Sequence, residues 1–157
     1  LYQLYLNTIN KKWSYDYLTE NFFLNLKKYL KKNVIIIAAL ENSNIIALAL
    51  NFISNNNLYG RYWGTKKEVP FLHFEVCYYK AIEAAIELKL DKVEAGAQGP
   101  HKIKRGYVPI LTYSAHLIFN NELQKIFCKY NDLEKENVTE DINILKKDYS
   151  PFKIPSK

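Results

Sequence analysis

The chain has 157 residues, a formal charge of +6 from 22 Lys+Arg against 16 Asp+Glu, and 48% hydrophobic residues. That length and apolar content predict one globular domain with a real core and exclude a disordered chain. No apolar run approaches the roughly 20 residues of a membrane helix, no signal peptide opens the chain, and Cys77 and Cys128 lack metal or redox spacing. The expectation is a cytoplasmic protein with both thiols reduced in its core.

In chain order, residues 1–9 predict a short helix, and Thr19 is a good N-cap for a second helix, where Phe22, Leu26 and Leu30 recur every four residues. Three strand-like runs follow at 34–40, 45–53 and 58–64, separated by polar turns, and predict an antiparallel meander. In the third run, strict alternation puts Tyr59, Arg61 and Trp63 on one face and Gly60 and Gly64 on the other. A loop leads to a helix at 73–89 with an inward stripe of Phe74, Cys77, Ala81, Ala85 and Leu88. Residues 92–96 predict a short strand and 110–119 a long one, followed by an amphipathic helix at 122–137 and a tail at 150–157. The expected architecture is α/β (α+β): a mixed, mostly antiparallel central sheet flanked by helices, in a single domain over 1–149.

Lys, Asn, Ile, Tyr and Phe share A/T-rich codons, so coding bias accounts for most of the composition. It does not account for both arginines and all 5 glycines falling within residues 60–106. They lie in YGRYWG at 59–64 and EAGAQGPHKIKRGY at 94–107. Arg offers a planar, permanent charge to phosphate or carboxylate, and Gly permits close backbone approach. A parallel crossover would bring the strand end at Arg61 beside the one at Glu94 to Gln98, and ligands sit at such carboxyl ends.

Each candidate has a plainer counterpart. Arg61 and Gly64 could hold an anion before a helix start, or Arg61 could pair with a surface carboxylate. His73 and Glu75 open a helix, as acid-base group and capping carboxylate. Glu94 is a candidate general base for an amine, or an ion-pair partner of Arg105. His101, Lys102, Lys104 and Arg105 crowd one turn beside Gly99, a density that suits phosphate or carboxylate. His116 has no partner in sequence and is assigned a structural role. Nothing resembles a metal site, a nucleophile elbow or a P-loop.

The element order resembles the GNAT acyltransferase fold entered after its first strand. Arg61 and Gly64 match the first fixed positions of that family's Q/R-x-x-G-x-G/A pyrophosphate motif, while Lys66 stands where a small residue belongs. Gly106-Tyr107 matches the end of its Tyr-x-x-x-Gly-Phe, with Lys102 in place of the Tyr. LYGRYWG at 58–64, EVPFLHFEVCYY at 68–79, VEAGAQG at 93–99 and HKxxRGYxP at 101–109 resemble the FemAB-like predicted N-acyltransferases of peptidoglycan biosynthesis or recognition.

That resemblance implies a C-terminal GNAT-like domain whose N-terminal portion is a covalent or separate partner. It also implies transfer from acyl-CoA or aminoacyl-tRNA to an amine, such as a cell-wall precursor. Arg61, Trp63, Gly64, Gln98, Gly99, Arg105 and Tyr107 would bind the donor; Glu94 or His73 would take the amine proton; His101 or Lys102 would assist the leaving group. Alternatives are a non-catalytic module that recognises a peptidoglycan precursor or other anionic ligand through the same cleft, and a tRNA-binding domain that uses the Lys surface.

Overall fold

Two turns with positive φ at both central residues, Asn42 (48°) and Ser43 (63°), then Asn55 (48°) and Asn56 (59°), fold the meander. This is the geometry whose twist matches that of paired strands, and Asn tolerates it well. The strands are β1 (Val34–Glu41), β2 (Asn44–Ser54) and β3 (Asn57–Thr65), each antiparallel to the next. β4 (Lys92–Glu94) joins β3 in parallel, with Tyr59 opposite Glu94, to give the order β1-β2-β3-β4. It is shorter than the expected 92–96. The protein is thus a mixed α/β structure with an open, mostly antiparallel sheet and flanking helices.

The computed structural model describes residues 1–11, 15–96 and 99–152. These fall into two compact units, Leu1–Ala97 and Gln98–Lys157. In the first, α1 (Tyr2–Lys11) and α2 (Glu20–Leu30) cover one sheet face. Tyr5, Phe23, Leu26 and Leu50 form a cluster there, with Tyr62, Val34 and Phe52 packed against it. Thr19 holds the N-cap position of α2 in extended conformation, but its side chain makes no capping bond. The other face packs Leu58, Ala81 and Ala85 with Ile35, Ile37, Ile53, Leu90 and Val93. Fully buried Leu50 and Leu58 each stabilise the fold by about 1.5–3 kcal/mol.

The helix expected at 73–89 is three segments: α3 (Leu72–Phe74), a π-helical turn (Glu75–Tyr79) and α4 (Lys80–Glu87). A π turn inserts an extra residue and rotates what precedes it. The expected stripe survives at Ala81 and Ala85 and Cys77 is half-buried, but before Ala81 the most deeply buried residues are Val76 and Tyr78, and Leu88 is exposed.

The second unit contains α5 (Pro100–Ile103) and α6 (Asn121–Asp148). The Asn120 side chain accepts from the Glu122 and Leu123 amides and starts α6, which runs past the expected end at 137. The strand expected at 110–119 does not form: these residues pair with no ladder among the described residues. Tyr113, Leu117 and Phe119 are exposed. Alternation provides a face for a strand but not the partner edge it also needs.

α1 packs so closely on β3 that a Cβ on Gly64 would stand 2.2 Å from the Leu4 carbonyl oxygen, whereas one on Gly60 would make ordinary contacts at 3.6 and 3.7 Å. Gly64→Ala therefore forces two backbones apart and costs about 2–3 kcal/mol, against less than about 1 kcal/mol for Gly60→Ala. Urea denaturation of both variants checks the contrast, and equal losses would contradict it.

Candidate functional site

The Leu50/Asn51 step of β2 is matched on β3 by Gly60 to Tyr62, so Arg61 is an extra, unpaired residue, a β-bulge. The bulge shifts the alternation. Tyr62 turns into the α1/α2 cluster, while Trp63 meets the ring of His73 at 5.3 Å. Arg61 and Trp63 therefore do not share a face, contrary to strict alternation. The Arg61 Nη2 donates to the Tyr17 hydroxyl at 3.0 Å, its guanidinium lies 4.6 Å from the Tyr62 ring centre, and the Tyr17 and Tyr62 hydroxyls share a 2.7 Å hydrogen bond. Burial, then the bond to Tyr17, raise the Tyr62 pKa, and Arg61 opposes the rise. Val93 packs into the α4 cluster, so alternation turns Glu94 to the α1/α2 face, Arg61's side.

Beyond the bulge, a cavity of about 540 Å³ opens at the end of β3. Asn7, Thr8 and Lys11 of α1 line it, with Trp63 and Thr65 of β3, Lys67, Glu68, Val69 and Pro70 of the following loop, and Leu72 and His73 of α3. The Thr8 hydroxyl donates to the Trp63 carbonyl (2.6 Å), Asn7 Nδ2 to the Thr65 carbonyl (3.3 Å), and the Thr65 hydroxyl to the Lys67 carbonyl (2.6 Å). These bonds fix the walls. Lys67 Nζ is 2.6 Å from each Glu41 carboxylate oxygen, and Lys11 Nζ is 3.1 Å from Glu68 across the mouth.

Uncommon backbone surrounds His73. Phe71, just before α3, has φ 63°, a conformation that costs a bulky residue about 1–3 kcal/mol and clusters at working sites. The π turn follows directly, and Tyr78 within it brings its ring centre to 5.4 Å from that of His73. His73 is thus held by Trp63, Phe74 and Tyr78.

In the second unit, Gly99 adopts φ 101° and the His101 ring folds over it; a Cβ there would lie 2.5 Å from that ring. Arg105 Nη1 donates to the His101 carbonyl at 2.6 Å. Gly106, φ 92°, closes the turn before Tyr107. Burial lowers the Lys102 pKa. His101, Lys102, Arg105 and Tyr107 thus belong to one compact turn, and Gln98 lies outside the described residues.

Gly64 was a candidate for donor contact, but the backbone it admits is that of α1. The cavity residues of α1 carry no motif, whereas Glu68, Val69 and Pro70 of the loop open the family-like stretch at 68–79 without having been singled out as site residues.

Two features fix the cysteine chemistry. Burial pushes the Cys77 thiol up to about 12, so it stays protonated and unreactive below that pH. Cys128, expected in the core, is exposed on α6, which buries no residue. Titration with a thiol reagent at pH 8 should find Cys128 reacting fast in the native chain and Cys77 reacting only after denaturation. Rapid native reaction of Cys77 would overturn its placement.

No helix of the described residues is long and apolar enough to cross a membrane. No curated protein and no solved structure matches the chain. The FemAB-like family model, described as peptidoglycan biosynthesis/recognition, matches residues 1–154. A match of that extent answers the question of kinship: the chain belongs to the FemAB-like family.

Proposed function

We propose that the chain is an N-acyltransferase domain of peptidoglycan assembly that transfers an acyl or aminoacyl group from acyl-CoA or aminoacyl-tRNA to an amine. Membership of the FemAB-like family supports the class. The observation that carries the mechanism is the cavity at the end of β3 with His73 in its wall.

In this scheme the amine enters that cavity and His73 takes its proton. The nitrogen attacks the donor's carbonyl carbon, an N–C bond forms, and the C–S or C–O bond to the carrier breaks. The departing thiolate or alkoxide takes up a proton, which the His73 imidazolium formed in the first step can return. Arg61, exposed and lying over the Tyr62 ring, suits a donor phosphate. Phosphate and acyl carbon are distant parts of either donor, so a phosphate at Arg61 is compatible with chemistry at the cavity beyond the bulge. Glu94, on Arg61's side, is the alternative base.

The family description also names recognition, and the same cavity would serve a non-catalytic module that binds a cell-wall fragment. Mass-spectrometric assay of the purified chain with both donors, and with a peptidoglycan stem peptide and a free amino acid as amines, separates the two. His73→Ala should cut turnover about 10²- to 10⁴-fold with little change in amine affinity, whereas Lys28→Ala on the exposed side of α2 should leave it intact. Absence of transfer from either donor, with stem-peptide binding weakened by His73→Ala, would select the recognition module.

A further inference from the structure

The charges around the cavity are unequal in availability. Both oxygens of Glu41 hold Lys67 at 2.6 Å, which neutralises it. Lys11 and Glu68 meet at a single 3.1 Å contact, with side chains 55% and 88% exposed, and such a pair opens at little cost. Among the described residues, the mouth therefore offers one cation and one anion to a guest that enters between them. The wall behind is apolar: Trp63, Val69, Pro70 and Leu72. The Thr8 and Thr65 hydroxyls are already engaged with backbone carbonyls.

A polyanion does not fit this arrangement. Among the described residues of the lining, a pyrophosphate or nucleic-acid backbone would find one available lysine and would face the Glu68 carboxylate. A neutral amphiphile would leave both charges unused. A ligand with adjacent opposite charges and an apolar body satisfies every wall. The volume of about 540 Å³ lies within the range of small-molecule sites.

We propose that this cavity binds a free α-amino acid with an apolar or aromatic side chain, its carboxylate on Lys11, its ammonium on Glu68 and its side chain against Trp63 and Leu72. The proposal rests on assigning the cavity to the amine acceptor, and it names that acceptor's class. The ammonium held by Glu68 is then the group that loses its proton to His73 before attack.

Calorimetric titration of the purified chain with L-phenylalanine tests it, beside glycine, L-phenylalaninamide, N-acetyl-L-phenylalanine and coenzyme A. L-Phenylalanine should bind, and glycine or either charge-blocked analogue should bind at least about tenfold more weakly. Lys11→Ala should weaken L-phenylalanine by about tenfold without further weakening the amide. Glu68→Gln should do the same with respect to the N-acetyl analogue.

Absence of L-phenylalanine binding, or equal or tighter binding of an analogue that mimics one end of a peptide, overturns the proposal. So does competition by coenzyme A that Lys11→Ala relieves. Amino-acid binding without any transfer would remove the transferase reading and leave this one standing. Transfer whose amine KM is unchanged in Lys11→Ala and Glu68→Gln would do the reverse.

Discussion

A hydrogen atom in place of a side chain at residue 64 lets α1 lie against β3, with the Leu4 carbonyl where a Cβ would otherwise stand. Much of the first unit depends on that approach. It sets Tyr5 against Phe23 and Tyr62, at ring separations of 5.1 and 5.3 Å, and so closes the core on the α1/α2 face. It also carries the last turn of α1 past the end of β3, where Asn7 and Thr8 bond to β3 carbonyls and Lys11 reaches Glu68. The cavity follows from a packing contact, and a side chain at this position would remove both together.

The second determinant is the extra residue at Arg61. A regular strand would have set Arg61 and Trp63 side by side. The bulge instead gives the guanidinium to Tyr17 and Tyr62 and the indole to His73. Gly60 sits opposite Asn51, which is buried and donates from Nδ2 to the Ile35 carbonyl at 3.4 Å. One irregular pair thus separates a cationic, phosphate-compatible surface from a cavity of nearly balanced charge. In the proposed reaction this keeps the donor's carrier and the amine apart except at their reacting ends.

Much of the sheet was legible in the sequence because its signals are local: apolar runs of strand length and two Asn-containing turns. His73 and Trp63 were named from the sequence as candidates for different roles, and the structure brings their rings together in the wall of one cavity. The roles of Asn7, Thr8 and Lys11 were not, since nothing in a short amphipathic helix says which strand end it will cross. The face of Arg61 was misjudged because a bulge has no fixed sequence mark, and the stripe before Ala81 because a π turn has none either. Residues 110–119 alternate like a strand, yet pairing depends on an edge that no local pattern reports.

The central claim is that phosphate and amine are received at different places about the end of β3. Amide chemical shifts of the isotope-labelled chain, followed while coenzyme A and then L-phenylalanine are added, test it most directly. Coenzyme A should move Arg61 and Tyr62, and L-phenylalanine should move Thr8, Glu68 and Leu72, with the Trp63 indole N–H following the amino acid. If both ligands shift the same set of residues, the division made by the bulge has no functional meaning.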